Sequence, residues 1–499
     1  MRTPIVPLAA GALLLMAGTL LLVPAPAAAQ QPVFDEWFED ATMRVDFHQT
    51  GNAEEFFFSI DQIYRQGRWA GNPRRPVDDF NSGMYYVKVY SLASNRLIYA
   101  RGFQTLFGEY QTTDPAIDGV MRSYLQTALI PWPKAAVRFV IEGRGPGNLL
   151  VPLFSARIDP GDVNIVREAS DERIEVFEIE IGGDCHDMVD FALVAEGYTA
   201  AEKEKFRADA ARMAEVLFSS EPFASHRSLF NIHAVFVPST DSGVDEPRRG
   251  IFRRTALDGS FNALDLDRYL LIDNLRAMRD VAGAAPYDVL GVLVNSTRYG
   301  GGGIYGDYFV TTVDNQRSEY VFMHELGHHF ANLADEYFTA TVSYNEFFPE
   351  GQEPHEPNIT RLLDPDNVKW KHLLTPGTPV PTPWGQDEIA ALEARAGELR
   401  REMRTELARL EESGASEREL ERARQSWRDR IDEVMTEAAG VRRHYQELYA
   451  GKIGVFEGAG YSAKGIYRSE IHVGMFHEGS YGPVSEEAIR LIIEHLTGR

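Results

Sequence analysis

The run His324-Glu325-Leu326-Gly327-His328 constrains this chain more than any other stretch. Two imidazoles four residues apart share a face only if the backbone between them is helical, and on that face both can bind one metal ion. The acid after the first histidine then sits beside the metal, where a general base for an attacking water belongs. So short a motif also arises by chance, and its surroundings decide its meaning. A catalytic zinc needs three protein ligands and an open position. The fold must therefore return a third donor to this helix.

The next acids are Asp335 and Glu336, in His328-His329-Phe330-Ala331-Asn332-Leu333-Ala334-Asp335-Glu336-Tyr337. In a continuing helix, Asp335 would lie about 10 Å beyond His328 along the axis, out of reach of the same metal. The helix must end and the chain turn back. Asn332 tolerates the left-handed conformation found at helix C-termini. The segment here resembles that of metzincin-type zinc proteases, where Gly makes this turn and the third ligand follows three residues later; Asn332 to Asp335 keeps that offset. Asp335 is the favoured third ligand, with Glu336 and then a distant residue as alternatives, and a loop acid pair without metal as the plainest reading. His329 lies about 100° round the helix from His328 and is expected to pack away from the metal.

The N-terminus places the site outside the cytoplasm. Arg2, an apolar run from about Ile5 to Val23, and the stretch Pro24 to Ala29 form an expected secretory signal, residues 1–29, cleaved after Ala29. An uncleaved anchor is the alternative, since the run is nearly long enough to span a bilayer. The expectation is an exported protein, periplasmic or secreted, with no stable membrane insertion after cleavage. The net charge of −24 argues against nucleic acid, whose phosphates such a surface repels. The single cysteine, Cys185, cannot form an intrachain disulfide.

Residues 33–172 are rich in short β-branched and aromatic segments bounded by turn residues, such as 84–90, 96–100 and 136–141, and predict an antiparallel β-sandwich. Nothing there has catalytic spacing. Residues 175–499 alternate strands (189–195, 230–237, 288–294) with helices (from a Thr199/Glu202 capping box to about Phe218, and about 265–282), which predicts an α/β layer with one mixed sheet. The motif helix begins near Ser318, a candidate cap. The Gly300–Gly303 run lacks the Lys-Ser/Thr of a phosphate loop; it is either a strand able to pair with an extended substrate or a mobile turn. Residues 376–384 form a proline-rich strip. Apolar positions at alternating three-four steps across 387–449, broken at Ser413-Gly414, predict an antiparallel helical hairpin, either a structural insert or an arm over the cleft.

Beyond the motif, the chain carries Ala195-Glu196-Gly197-Tyr198-Thr199, Phe218-Ser219-Ser220-Glu221-Pro222-Phe223, Leu293-Val294-Asn295-Ser296, Leu333-Ala334-Asp335-Glu336-Tyr337 and Val455-Phe456-Glu457-Gly458-Ala459-Gly460-Tyr461. With these it resembles the secreted IgA-peptidase-type zinc metallopeptidases (igalysins) over most of its length. The resemblance implies a β-sandwich followed by a zinc-dependent catalytic domain. Three departures stand out. Asn332 replaces a usual Gly. Val473, Gly482 and Ser485 stand where the family has cysteines near a methionine, here Met475, which is either a turn beneath the zinc or a plain core residue. The IgA label reflects the substrates of a few members and does not carry over.

The sequence therefore predicts an α+β multidomain protein: an N-terminal antiparallel β-sandwich, then a zincin-like α/β catalytic domain with an inserted antiparallel helical hairpin. Its expected activity is zinc-dependent hydrolysis of protein or peptide substrates. His324, His328 and Asp335 are the expected Zn2+ ligands, Glu325 the general base, and a tyrosine such as Tyr467 an oxyanion partner. The competing expectation is an exported binding or scaffolding protein with a degenerate or structural metal site.

Overall fold

The computed structural model describes residues 31–167, 171–338, 347–475 and 479–499; the expected leader at 1–29 lies outside them. Two antiparallel sheets form the N-terminal part. Phe38–Gly51 runs between Phe56–Gln66 and Arg122–Pro133 in the first; the second is ordered Leu97–Phe103, Tyr85–Ser91, Val137–Arg144, Leu150–Ile158. A period of two sends alternate side chains to one face. Met43, Val45 and Phe47 of the first sheet thus meet Val87, Val89, Phe139 and Ile141 of the second in one shared core.

On the outer face of the first sheet, Arg44 and Asp46 are wholly buried, because that face packs on the rest of the protein. Arg44 makes a two-pronged bond to Asp46 at 2.8 and 2.7 Å and reaches Asp280 at 2.6 Å. A buried guanidinium is tolerated only when its donors are satisfied in this way.

A six-stranded mixed sheet forms the second part, ordered Gly301–Ile304, Tyr308–Thr312, Val289–Val294, Val189–Glu196, Phe230–Phe236, Glu175–Ile181. The four inner strands are parallel and the two edge strands antiparallel to them. Val189–Glu196 and Val289–Val294 are buried at every position, as parallel strands covered on both faces must be. On one face, Lys203–Leu217, Ser318–Ala331 and Pro483–Thr497 pack with Phe191, Leu193, Phe230 and Phe309. Leu275–Ala282 covers the other. The Thr199/Glu202 capping box is present, followed by one 3₁₀ turn and then the helix Lys203–Leu217.

One helix is much shorter than its expected span. Only Leu275–Ala282 of about 265–282 is helical. Asn274 accepts the Ala277 amide at 3.1 Å and fixes the start, while Leu271–Ile272 pairs with Gly259–Ser260. A side-chain cap and a strand pairing set where the helix begins.

Gln386–Glu412 and Glu417–Leu448 form the helical pair. They run antiparallel: Glu393 pairs with Arg442, and Glu406 accepts the Trp427 indole N–H. Ala396, Leu399, Trp427 and Ile431 fill the seam, Gly414 turns the chain at a φ of +79°, and Ser416 with Glu419 caps the second helix. Its base packs through Ile389 and Tyr445 on Trp384 and Phe456. No helix among the described residues is long and apolar enough to cross a membrane.

Replacing Asn274 with Ala should lower stability by about 1 kcal/mol, read as a fall in the guanidinium midpoint at constant m-value. An unchanged midpoint would favour a helix starting upstream.

Candidate metal centre and active site

The motif helix Ser318–Ala331 buries Val321, Phe322, Leu326 and Phe330 against the sheet. The opposite face carries Tyr320, His324 and His328 into a cavity of about 1100 Å³. Ser318 is the first helical residue rather than the cap; its Oγ accepts the Asn315 amide at 3.0 Å and closes the preceding turn.

The helix stops at Asn332, which adopts the left-handed conformation, with φ +52° and ψ +38°. Its amide donates to the His328 carbonyl at 3.1 Å and that of Leu333 to the Gly327 carbonyl at 3.2 Å, satisfying two end carbonyls. Asn332 does more than a glycine could. Its amide group donates to Ser82 Oγ at 2.9 Å and to His355 Nδ1 at 3.0 Å, and accepts from Gln104 at 2.9 Å. Ser82 and Gln104 belong to the N-terminal part. Beyond the turn, Asn358 brackets Ala334 through both its backbone groups, and Gly460 donates to the Asp335 carbonyl at 2.9 Å.

This return brings Asp335 to the two histidines. The Nε2 atoms of His324 and His328 are 3.2 Å apart, and Asp335 Oδ1 lies 3.1 and 3.5 Å from them. His328 Nδ1 donates to the Leu333 carbonyl at 2.6 Å, which directs Nε2 inward. Asp335 Oδ2 accepts from the hydroxyls of Tyr337 at 2.8 Å and Tyr461 at 2.5 Å. Oδ1 is buried, has no well-formed hydrogen bond, and faces the ring nitrogens.

The Glu325 carboxylate also lies within 4.8 Å of both imidazoles, so proximity alone admits two acids as third donor. Asp335 is the better donor, because two tyrosines fix one of its oxygens and leave the other aimed inward. Glu336 is not brought to the histidines; its carboxyl is buried towards Arg468 and Asn358.

Burial opposes the Asp335 charge, yet the facing His328 and His324 hold its carboxyl well below the usual range. Burial likewise works against a charged His328, but Asp335, Glu325 and the Leu333 carbonyl push it up to about 9. Two imidazole nitrogens and one carboxylate oxygen form a donor set that a divalent cation such as zinc would fit, with both imidazoles neutral. Desolvation raises the Glu325 carboxyl, partly offset by the two histidines.

His329 turns the other way, as its position on the helix predicts. Its ring bridges the Leu290 amide and the Ile304 carbonyl, and burial drives its pKa down to about 3. The glycine run is an edge strand, Gly301–Ile304, packed on the motif helix. A Cβ on Gly303 would meet the Glu325 carbonyl oxygen at 2.4 Å, and one on Gly301 would meet Val321 at 2.5 Å. Met475 is wholly buried beneath the motif; a Cβ on Gly327 would lie 2.9 Å from its sulfur. Nearby, the Tyr481 hydroxyl donates to the Met323 carbonyl, fastening this segment in a chain without cysteines there.

Tyr467 does not line the cavity; it packs with Val368, Trp370 and Val455. The tyrosines on the wall include Tyr299, Tyr320, Tyr337 and Tyr461. The N-terminal part also contributes, through Gln104 and Glu109. Neither stands in a pattern that the sequence could reveal. A further cavity of about 820 Å³ between the two parts, near Trp69 and Arg279, holds none of the motif residues.

A helix carrying two imidazoles and an acid, met by a returning carboxylate in an open cleft, marks a candidate metal-dependent hydrolase. Residues 177–493 match the family described as IgA Peptidase M64, and residues 33–155 match the Peptidase M64 N-terminus. The chain belongs to this peptidase family. No curated protein matches it.

Two substitutions test this geometry. Gly303→Ala should cost about 1–3 kcal/mol through overpacking against the motif helix, seen as a lower melting temperature. Asn332→Gly keeps the turn but loses the side-chain bonds, whereas Asn332→Ala loses both. Alanine should therefore be the more destabilising in thermal melts, by about 1 kcal/mol.

Proposed function

We propose that the protein is an exported zinc-dependent metalloendopeptidase. The observation that carries this reading is Asp335 Oδ1, buried with no well-formed hydrogen bond and facing both Nε2 atoms at 3.1 and 3.5 Å. His324, His328 and Asp335 would hold the ion. Zinc bound there lowers the pKa of a water and polarises the scissile carbonyl. Glu325 takes the proton of the attacking water on its carboxylate and returns it to the leaving amine nitrogen. Tyr337 and Tyr461 orient Asp335, and the Leu333 carbonyl orients His328. In this reading residues 1–29 are the leader, 33–172 a sandwich domain, and 175–499 a zincin-like catalytic domain carrying the 387–449 hairpin as an insertion. Substrates are proteins or peptides.

The second reading is an exported binding protein with a structural metal site. An acid beside the ligands favours the enzyme, because a structural zinc needs no base. Metal analysis together with casein and peptide-library cleavage separates the two. The wild type should contain one zinc per chain and cleave. Glu325→Ala should keep the zinc and lose about 10²–10⁴-fold in rate. Asp335→Ala should fall well below one zinc per chain. Stoichiometric zinc with no hydrolysis across a broad library would sink the peptidase reading, and full zinc affinity in Asp335→Ala would remove that ligand.

A further inference from the structure

A second cavity of about 600 Å³ adjoins the catalytic one. Gln104, Glu109, Phe347, Phe348 and Glu356 border both. Met84 and Tyr85 of the N-terminal part add to an apolar wall that includes Phe347 and Phe348, whose rings meet edge-on at 5.0 Å.

Glu356 stands at this threshold, 4% exposed, and its Oε2 is buried without a hydrogen-bond partner. Oε1 has a 3.5 Å contact from the Gln104 amide and lies 3.4 Å from His355 Nδ1. That nitrogen accepts from Asn332, so it has no proton to offer Glu356. Arg144 and Lys369 lie near enough to favour the Glu356 charge, but their hydrogen bonds go to other groups and none reaches its carboxylate. Lys369 Nζ donates to the carbonyls of Pro354, Glu356 and Ile359 and faces Glu353 at 3.5 Å. Arg144 is bonded to the carbonyls of Gly83, Asn81 and Asn148.

A buried carboxylate with an unmatched oxygen is costly unless a ligand completes it. An apolar wall ending in such a group matches one kind of side chain: a long aliphatic stem with a cationic head. We propose that this cavity is a substrate subsite for lysine or arginine, with Glu356 as its specificity-determining residue. The proposal rests on the peptidase reading and goes beyond it by naming a substrate class.

The test begins with binding, which needs no turnover. N-acetyl-arginine amide and N-acetyl-norleucine amide are titrated calorimetrically into the zinc-loaded full-length mature chain carrying Glu325→Ala, with and without Glu356→Gln. The arginine ligand should bind at least tenfold more tightly than norleucine, and Glu356→Gln should erase that difference. Equal affinities for the two ligands, or an arginine preference untouched by Glu356→Gln, overturn the proposal. The comparison with Glu356 intact stands even if Glu356→Gln fails to fold. In library cleavage, the ratio of kcat/KM for basic over norleucine peptides should fall at least tenfold in Glu356→Gln. Arginine-selective binding in a chain that hydrolyses no peptide removes the peptidase reading and leaves the subsite. Hydrolysis without any basic preference does the reverse.

Discussion

The left-handed turn at Asn332 is the constraint on which the centre depends. A helix can bring His324 and His328 to one face unaided, but it carries every later residue away from them. A reversal within one turn of His328 returns the Asp335 carboxylate to the Nε2 atoms. Asn332 provides the reversal, and its side chain fastens it to Ser82 and Gln104. Everything downstream secures the returned segment: Asn358 brackets Ala334, Gly460 holds the Asp335 carbonyl, and two tyrosine hydroxyls fix its carboxylate.

Beneath the helix, size is the controlling variable. Gly301 and Gly303 let an edge strand lie against the motif backbone, and Gly327 lets Met475 and Tyr481 approach from below. The helix is thus clamped between two surfaces that leave no room for a methyl group. Such clamping fixes the direction of the two imidazoles, which matters because a metal site tolerates only small errors in ligand placement.

Local rules were legible in the chain and distant contacts were not. The spacing of His324 and His328 follows from helix geometry alone, and the need to turn back points to Asn332, whereas the preference for Asp335 over Glu336 comes from the likeness to the metzincin-type offset. The seam Ala396, Leu399, Trp427 and Ile431 was likewise written in its three-four steps. Tyr461 lies 126 residues from the carboxylate it orients, so no spacing announces it. Tyr467, six residues further on, sits on the next strand and packs elsewhere. The helix expected over about 265–282 failed for a different reason: Leu271 and Ile272 satisfy a strand pairing with Gly259 and Ser260, a contact outside the segment itself. Glu356 and Gln104 look like ordinary surface polar residues until two separate parts of the fold enclose them.

The bonds that steady the centre also set when it can exist. Gln104 and Asn332 are 228 residues apart in the chain, and Tyr461 reaches Asp335 from 126 residues downstream. A nascent chain ending after His328 has both imidazoles and Glu325 but neither the returning carboxylate nor its tyrosine anchors. Chain growth therefore meters the chemistry: the centre is complete only once synthesis has passed Tyr461 and that segment has folded back, whichever residues folded first.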